Sequence, residues 1–137
     1  MNALFLKLAR QRVTAVGWTL LIIVLMCLPG EALPGEGLFS IPHLDKAVHL
    51  ILFAGLFLFW SLSSWYAVSN PEKKGKIFPS VLGWTIFFGI AMEFVQLFFI
   101  PNRSFDIWDI LFDSLGAGSG FWLLRAKGHS WKWLKDK

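Results

Sequence analysis

Residues 47–68 read AVHLILFAGLFLFWSLSSWYAV, and His49 is the one ionisable side chain among them apart from a tyrosine. A helix needs about 20 apolar residues to cross the hydrocarbon core of a bilayer, and this run has that length. Three further runs lie around it. Residues 13–28 are uncharged throughout, residues 77–100 are interrupted by Glu93, and residues 107–124 are interrupted by Asp109 and Asp113. The first run is short, but Arg10 and Arg12 can snorkel and extend it. The fourth is the least apolar and is read as a span because the third must return. The expectation is an all-α fold: an integral membrane bundle of four transmembrane helices in one domain over residues 1–137. Its connections are broken at Pro29-Gly30, Pro34-Gly35, Asn70-Pro71 and Pro101-Asn102.

Composition supports the same architecture. Of 137 residues, 16% are charged, against about a quarter in a soluble domain. The hydrophobic share is 55%, with eight Trp and fourteen Phe, and mean hydropathy is +0.57. A small soluble core cannot hide that many large side chains, so some must face lipid. Disordered chains, disulfide-stapled modules and ordinary nucleic-acid-binding domains are excluded. The single cysteine, Cys27, permits no disulfide within the chain. Met26 precedes it, so it reads as a membrane-buried residue rather than a lipoprotein cysteine. The N-terminal run has the look of a signal peptide, but its exit, Leu28-Pro29-Gly30-Glu31, lacks a small-x-small cleavage site, and it is read as a retained helix.

The net charge of +4 is distributed as a topology signal. Lys7, Arg10 and Arg12, then Lys73, Lys74 and Lys76, then Arg125, Lys127, Lys132, Lys135 and Lys137 all fall on one side of the proposed spans. Only Lys46 and Arg103 fall on the other. The positive-inside rule then puts both termini in the cytoplasm and the first and third loops outside. The tail Trp131-Lys132-Trp133-Leu134-Lys135 suits a headgroup layer, so no nucleic-acid partner is expected. His43 and His129 are read as loop residues without a role.

With that topology the polar residues gather at one depth. Asp45, Lys46 and His49 open the second span, Glu93 and Gln96 lie near the end of the third, Arg103 and Asp106 are in the outer loop, and Asp109 and Asp113 open the fourth. Spacings of three and four put each set on one helix face. A charge facing lipid is costly, so these faces should turn inward and line one outward-facing polar pocket. Gly116 and Gly120, with Ser114 and Gly118 beside them, make a GxxxG spacing that lets helices approach closely; ordinary membrane-helix composition is the other reading.

Each candidate has two readings. Glu93 and His49 are the candidates for general acid or base, and each also reads as a structural ion pair or a buried hydrogen-bonded group. Gln96 could orient a ligand or satisfy Glu93. Arg103, with Lys46, suits a phosphate or carboxylate, or Arg103 pairs with Asp106. Asp109 and Asp113 could hold a divalent cation, or simply hold the helices together. No nucleophile triad and no phosphate-binding glycine loop is present.

The pieces Leu44-Asp45-Lys46-Ala47-Val48-His49, Glu93-Phe94-Val95-Gln96, Arg103-Ser104-Phe105-Asp106-Ile107-Trp108-Asp109 and Asp113-Ser114-Leu115-Gly116-Ala117-Gly118-Ser119-Gly120, in this order, resemble the VanZ-like family, named for a teicoplanin-resistance protein. The resemblance covers residues 40–124. Asp113 departs from it, since the family commonly has Asn there. It implies a multi-pass protein of the bacterial plasma membrane, linked in some members to glycopeptide tolerance, with Asp45, Lys46, His49, Glu93, Gln96, Arg103, Asp106 and Asp109 as motif positions. It supplies no reaction, cofactor or metal. The expected partner, besides the bilayer, is an anionic lipid or lipid-linked cell-wall intermediate. A non-enzymatic scaffold or partner-binding protein is the alternative, and an ion- or proton-coupled transporter the third reading.

Overall fold

The computed structural model describes residues 7–8, 11–29 and 44–128. The Trp-Lys tail after residue 128, both loop histidines, Arg10 and the Pro34-Gly35 turn lie outside the described residues. Four helices follow one another: α1 (Arg12–Met26), α2 (Leu44–Ala67), α3 (Pro71–Phe99) and α4 (Ile107–Gly128). Among the described residues there is no strand.

Helix α2 is the axis of the bundle and contacts the other three helices. Its buried residues include Leu52, Phe53, Leu56 and Phe57. On one side, Leu52, Phe53 and Leu56 form a core with Ile22 and Met26 of α1 and Met92 of α3. On the other, Phe57 and Leu62 pack with Ala117 and Leu124 of α4. The α2–α4 contact is the most extensive, and glycine makes it possible. A Cβ at Gly116 would overlap the backbone carbonyl of Leu50, and one at Gly120 would come within 2.8 Å of the Phe57 ring. The GxxxG pair is therefore a helix–helix seam.

Asn70 sets the start of α3 more than hydropathy does. Its side-chain oxygen accepts from the backbone N–H of Glu72 at 2.9 Å and of Lys73 at 3.3 Å, and Pro71 fills the first helical position. This capping arrangement draws Lys73, Lys74 and Lys76 into the first turns of the helix, ahead of the apolar run.

Burial is inverted relative to a soluble bundle. Glu93, Gln96, Asp109 and Asp113 are buried, while Trp84, Phe87, Phe98, Phe99 and Trp122 are exposed. Helices α2 and α3 are each long and apolar enough to cross a membrane, and the apolar window of α3 is only 28% buried by the rest of the protein. A core helix of a soluble protein would be mostly covered. Hydrocarbon, as the surrounding solvent, accounts for both observations.

Candidate functional site

The charged residues meet where α2 begins, α3 ends and α4 begins. Between α3 and α4 the chain turns at Pro101 and Asn102, and Asn102 takes a left-handed backbone conformation (φ 57°) that Asn tolerates better than most residues. The turn delivers Asp106 to the N-terminus of α4.

Besides its backbone carbonyl, which accepts the Asp109 N–H at 3.1 Å, Asp106 makes three bonds. Its Oδ1 accepts the backbone N–H of Trp108 at 2.8 Å, capping α4. Its Oδ2 accepts from Lys46 Nζ at 2.6 Å. Its own backbone N–H donates to Glu93 Oε2 at 3.0 Å. One residue thus ties α2, α3 and α4 together.

Lys46 is surrounded by acid. Besides Asp106, its ammonium contacts Asp109 through Oδ1 and Asp45 at 3.1 Å. The Lys46 hydrogen bond holds the Asp106 carboxyl below the usual carboxylate range. One helical turn beyond Lys46, His49 Nδ1 lies 2.9 Å from Asp113 Oδ1, and His49 Nε2 lies 3.9 Å from Asp109 Oδ2. The nearest carboxylate to His49 is therefore that of Asp113. Glu93 is 0% exposed and Asp113 1%, and the electrostatic neighbours of Glu93 include Asp109, His49 and Asp113. Asp113 fits there because Gly89 faces it: a Cβ at Gly89 would lie 2.9 Å from Asp113 Oδ2.

Gln96 and Arg103 turn instead to α1. Gln96, 2% exposed, donates from Nε2 to the Met26 carbonyl at 2.8 Å. Arg103 donates from Nε to the Leu28 carbonyl at 3.3 Å. The last carbonyls of a helix lack intrahelical partners, and these two side chains supply donors just there. Of the nine residues singled out in the sequence, seven are linked through Lys46, His49 and Asp106, and Gln96 and Arg103 brace the end of α1 against α3.

The chemistry available is that of a buried acid–base network, with the Arg103 guanidinium in the adjoining loop. Among the described residues no group of three or more His, Cys, Asp or Glu side chains is placed to hold a metal ion. A cavity of about 410 Å³ lies away from the charges, beside Thr19, Trp60, Trp84, Thr85 and Phe88. Trp60 Nε1 donates to Thr19 Oγ1 at 3.0 Å in its wall. Sequence reasoning passed over this cavity; the hydroxyls at Thr19, Ser64 and Thr85 inside apolar runs were its only signal.

Fold, inverted burial and a charged cluster inside the bundle together define a helical membrane protein. The VanZ/LLP1 family model matches residues 5–128, and the chain belongs to that family. Comparison with curated proteins and with solved structures gave no match.

Proposed function

We propose that this is a multi-pass protein of the bacterial inner membrane with four spans and cytoplasmic termini. Its charged cluster faces outward and binds or acts on an anionic lipid or lipid-linked cell-wall intermediate, and so alters sensitivity to glycopeptides such as teicoplanin. Family membership and the segregation of basic residues support the setting. The observation that carries the ligand class is Arg103. Among the described residues its Nε bonds the Leu28 carbonyl and the outer N–H groups of the guanidinium have no partner. A guanidinium fork is suited to phosphate or carboxylate. Three residues after Arg103, the Asp106 backbone N–H donates to Glu93, so the loop that carries the guanidinium is tied to the Glu93–His49–Asp113 network. In a catalytic version Glu93 or His49 moves the proton, and Asp45, Lys46, Asp106 and Asp109 hold the frame.

The occupation of Lys46 by three carboxylates favours a second reading, in which the cluster locks the helices and the protein is a scaffold. Glu93→Gln separates the two, because it keeps an acceptor for the Asp106 N–H while removing charge. Loss of a glycopeptide phenotype with unchanged membrane abundance supports ligand chemistry; loss of abundance supports the scaffold.

A further inference from the structure

Among the described residues, two oxygens in the cluster accept no hydrogen bond: Glu93 Oε1 and Asp113 Oδ2. Both belong to carboxyl groups that are almost wholly buried. An ionised oxygen without a donor is strongly disfavoured in such a place.

The charges facing these two groups do not balance them. From α2 come Lys46 and His49, from α4 Asp109, and from the intervening loop Arg103 and Asp106. Helix α1 contributes no charged group to the cluster among the described residues. The Lys46 ammonium is matched by Asp106 and Asp109, with Asp45 beside them. His49, even when protonated, balances one carboxylate, and its nearer partner is Asp113. Arg103 bonds the Leu28 carbonyl through Nε, and among the described residues no ion pair joins it to Glu93 or Asp113. Among the described residues no cation is paired with Glu93, and no group of three or more His, Cys, Asp or Glu side chains is placed to hold a metal ion.

Placement links the two oxygens. Asp113 Oδ2 lies against Gly89, 2.9 Å from where a Cβ would stand. Gly89 and Glu93 are four residues apart and share one face of α3. The free oxygen of Asp113 is therefore turned to the α3 face that carries Glu93.

We propose that the Glu93–Asp113 pair binds a resident, exchangeable proton, so that one of the two is a neutral carboxylic acid at neutral pH. Protonation converts an undonated acceptor into a donor and removes one uncompensated buried charge. His49, on the other oxygen of Asp113, puts a further proton-carrying group in direct contact with the pair. The inference deepens the proposed function: the bound proton is what an acid at this site would deliver to an anion at Arg103. It rests on that reading for its use, not for its existence.

Infrared spectroscopy of the purified full chain in lipid nanodiscs tests it. The expected spectrum has a carbonyl band of a protonated carboxylic acid at neutral pH, which shifts in heavy water and fades on alkaline titration. The band is lost in Glu93→Gln or in Asp113→Asn, and replacing sodium by choline leaves it unchanged. A wild-type spectrum showing only ionised carboxylates overturns the proposal, as does a band that survives in both variants. Carboxylate bands that respond to sodium at fixed pH also overturn it, by identifying a metal cation as the occupant. If neither variant folds, the wild-type titration alone decides. A failed glycopeptide assay with the acid band present would count against the proposed function only.

Discussion

Glu93, near the end of α3, accepts the backbone N–H of Asp106, the residue that caps α4, at 3.0 Å. The bond closes the α3–α4 turn from inside the bundle, and the acceptor is fully buried. Glu93→Ala leaves that N–H without a partner. The expected loss is about 1–3 kcal/mol for an unsatisfied buried donor, read as a lower Tm in detergent. Glu93→Gln retains an oxygen for the same bond and should stay closer to wild type. Equal loss in both variants would mean that charge, not the hydrogen bond, holds the turn.

The α2–α4 seam gives a sharper steric test. At Gly116 an added methyl overlaps the Leu50 backbone carbonyl, whereas at Gly118 nothing lies within 4 Å. Backbone cannot move aside as a flexible side chain can, so Gly116→Ala should cost about 1–3 kcal/mol, as overpacking does. Gly118→Ala should be neutral or stabilising by up to about 1 kcal/mol, since Ala favours helix more than Gly does. Thermal unfolding of the two variants side by side checks this, and the reverse order would overturn the seam.

These two sites also show what the sequence carried. Hydrocarbon penalises charge so heavily that three- and four-residue spacings sufficed to bring Lys46, His49, Asp106, Asp109 and Asp113 together. The GxxxG spacing pointed to Gly116 for a similar reason, because close backbone approach demands a small residue. The partners of Gln96 and Arg103 were not legible. They are backbone carbonyls of Met26 and Leu28, and every residue type has a carbonyl. Nor could spacing choose among the carboxylates available to His49, since that choice depends on how Gly89 lets Asp113 settle against α3. The start of α3 was hidden because capping at Asn70, not hydropathy, sets it.

Lys46 offers a test of charge balance. Its side chain is 12% exposed and that of Asp109 is 11%. Lys46→Met leaves Asp106 and Asp109 facing each other without a cation, and removing one partner of a buried pair costs about 3–5 kcal/mol. Adding Asp109→Asn should return part of that loss. A double variant no more stable than Lys46→Met alone would show that the lysine acts through packing of its aliphatic stem.

Asp106 makes the network sensitive to acid. Its carboxyl is held below the ordinary range first by the Lys46 hydrogen bond, with burial opposing and the Trp108 N–H assisting. A folded-state pKa below the unfolded value, about 3.9 for Asp, means stabilisation that is complete above the unfolded value. It is lost as pH falls through the lower, folded one. The side chain is 37% exposed, so solvent screens the pair and its worth is about 1 kcal/mol or less. Asp106→Asn keeps an acceptor for the Trp108 N–H and the backbone N–H that reaches Glu93, and removes only the charge. Its Tm should lie below wild type at neutral pH, and the gap should begin to close as the pH is lowered past about 4, where the carboxyl of the unfolded chain protonates, and vanish once the folded carboxyl protonates as well. A gap of constant size across that range would assign the effect to cap geometry, and a gap that widened in acid would reverse the sign derived from the Lys46 contact.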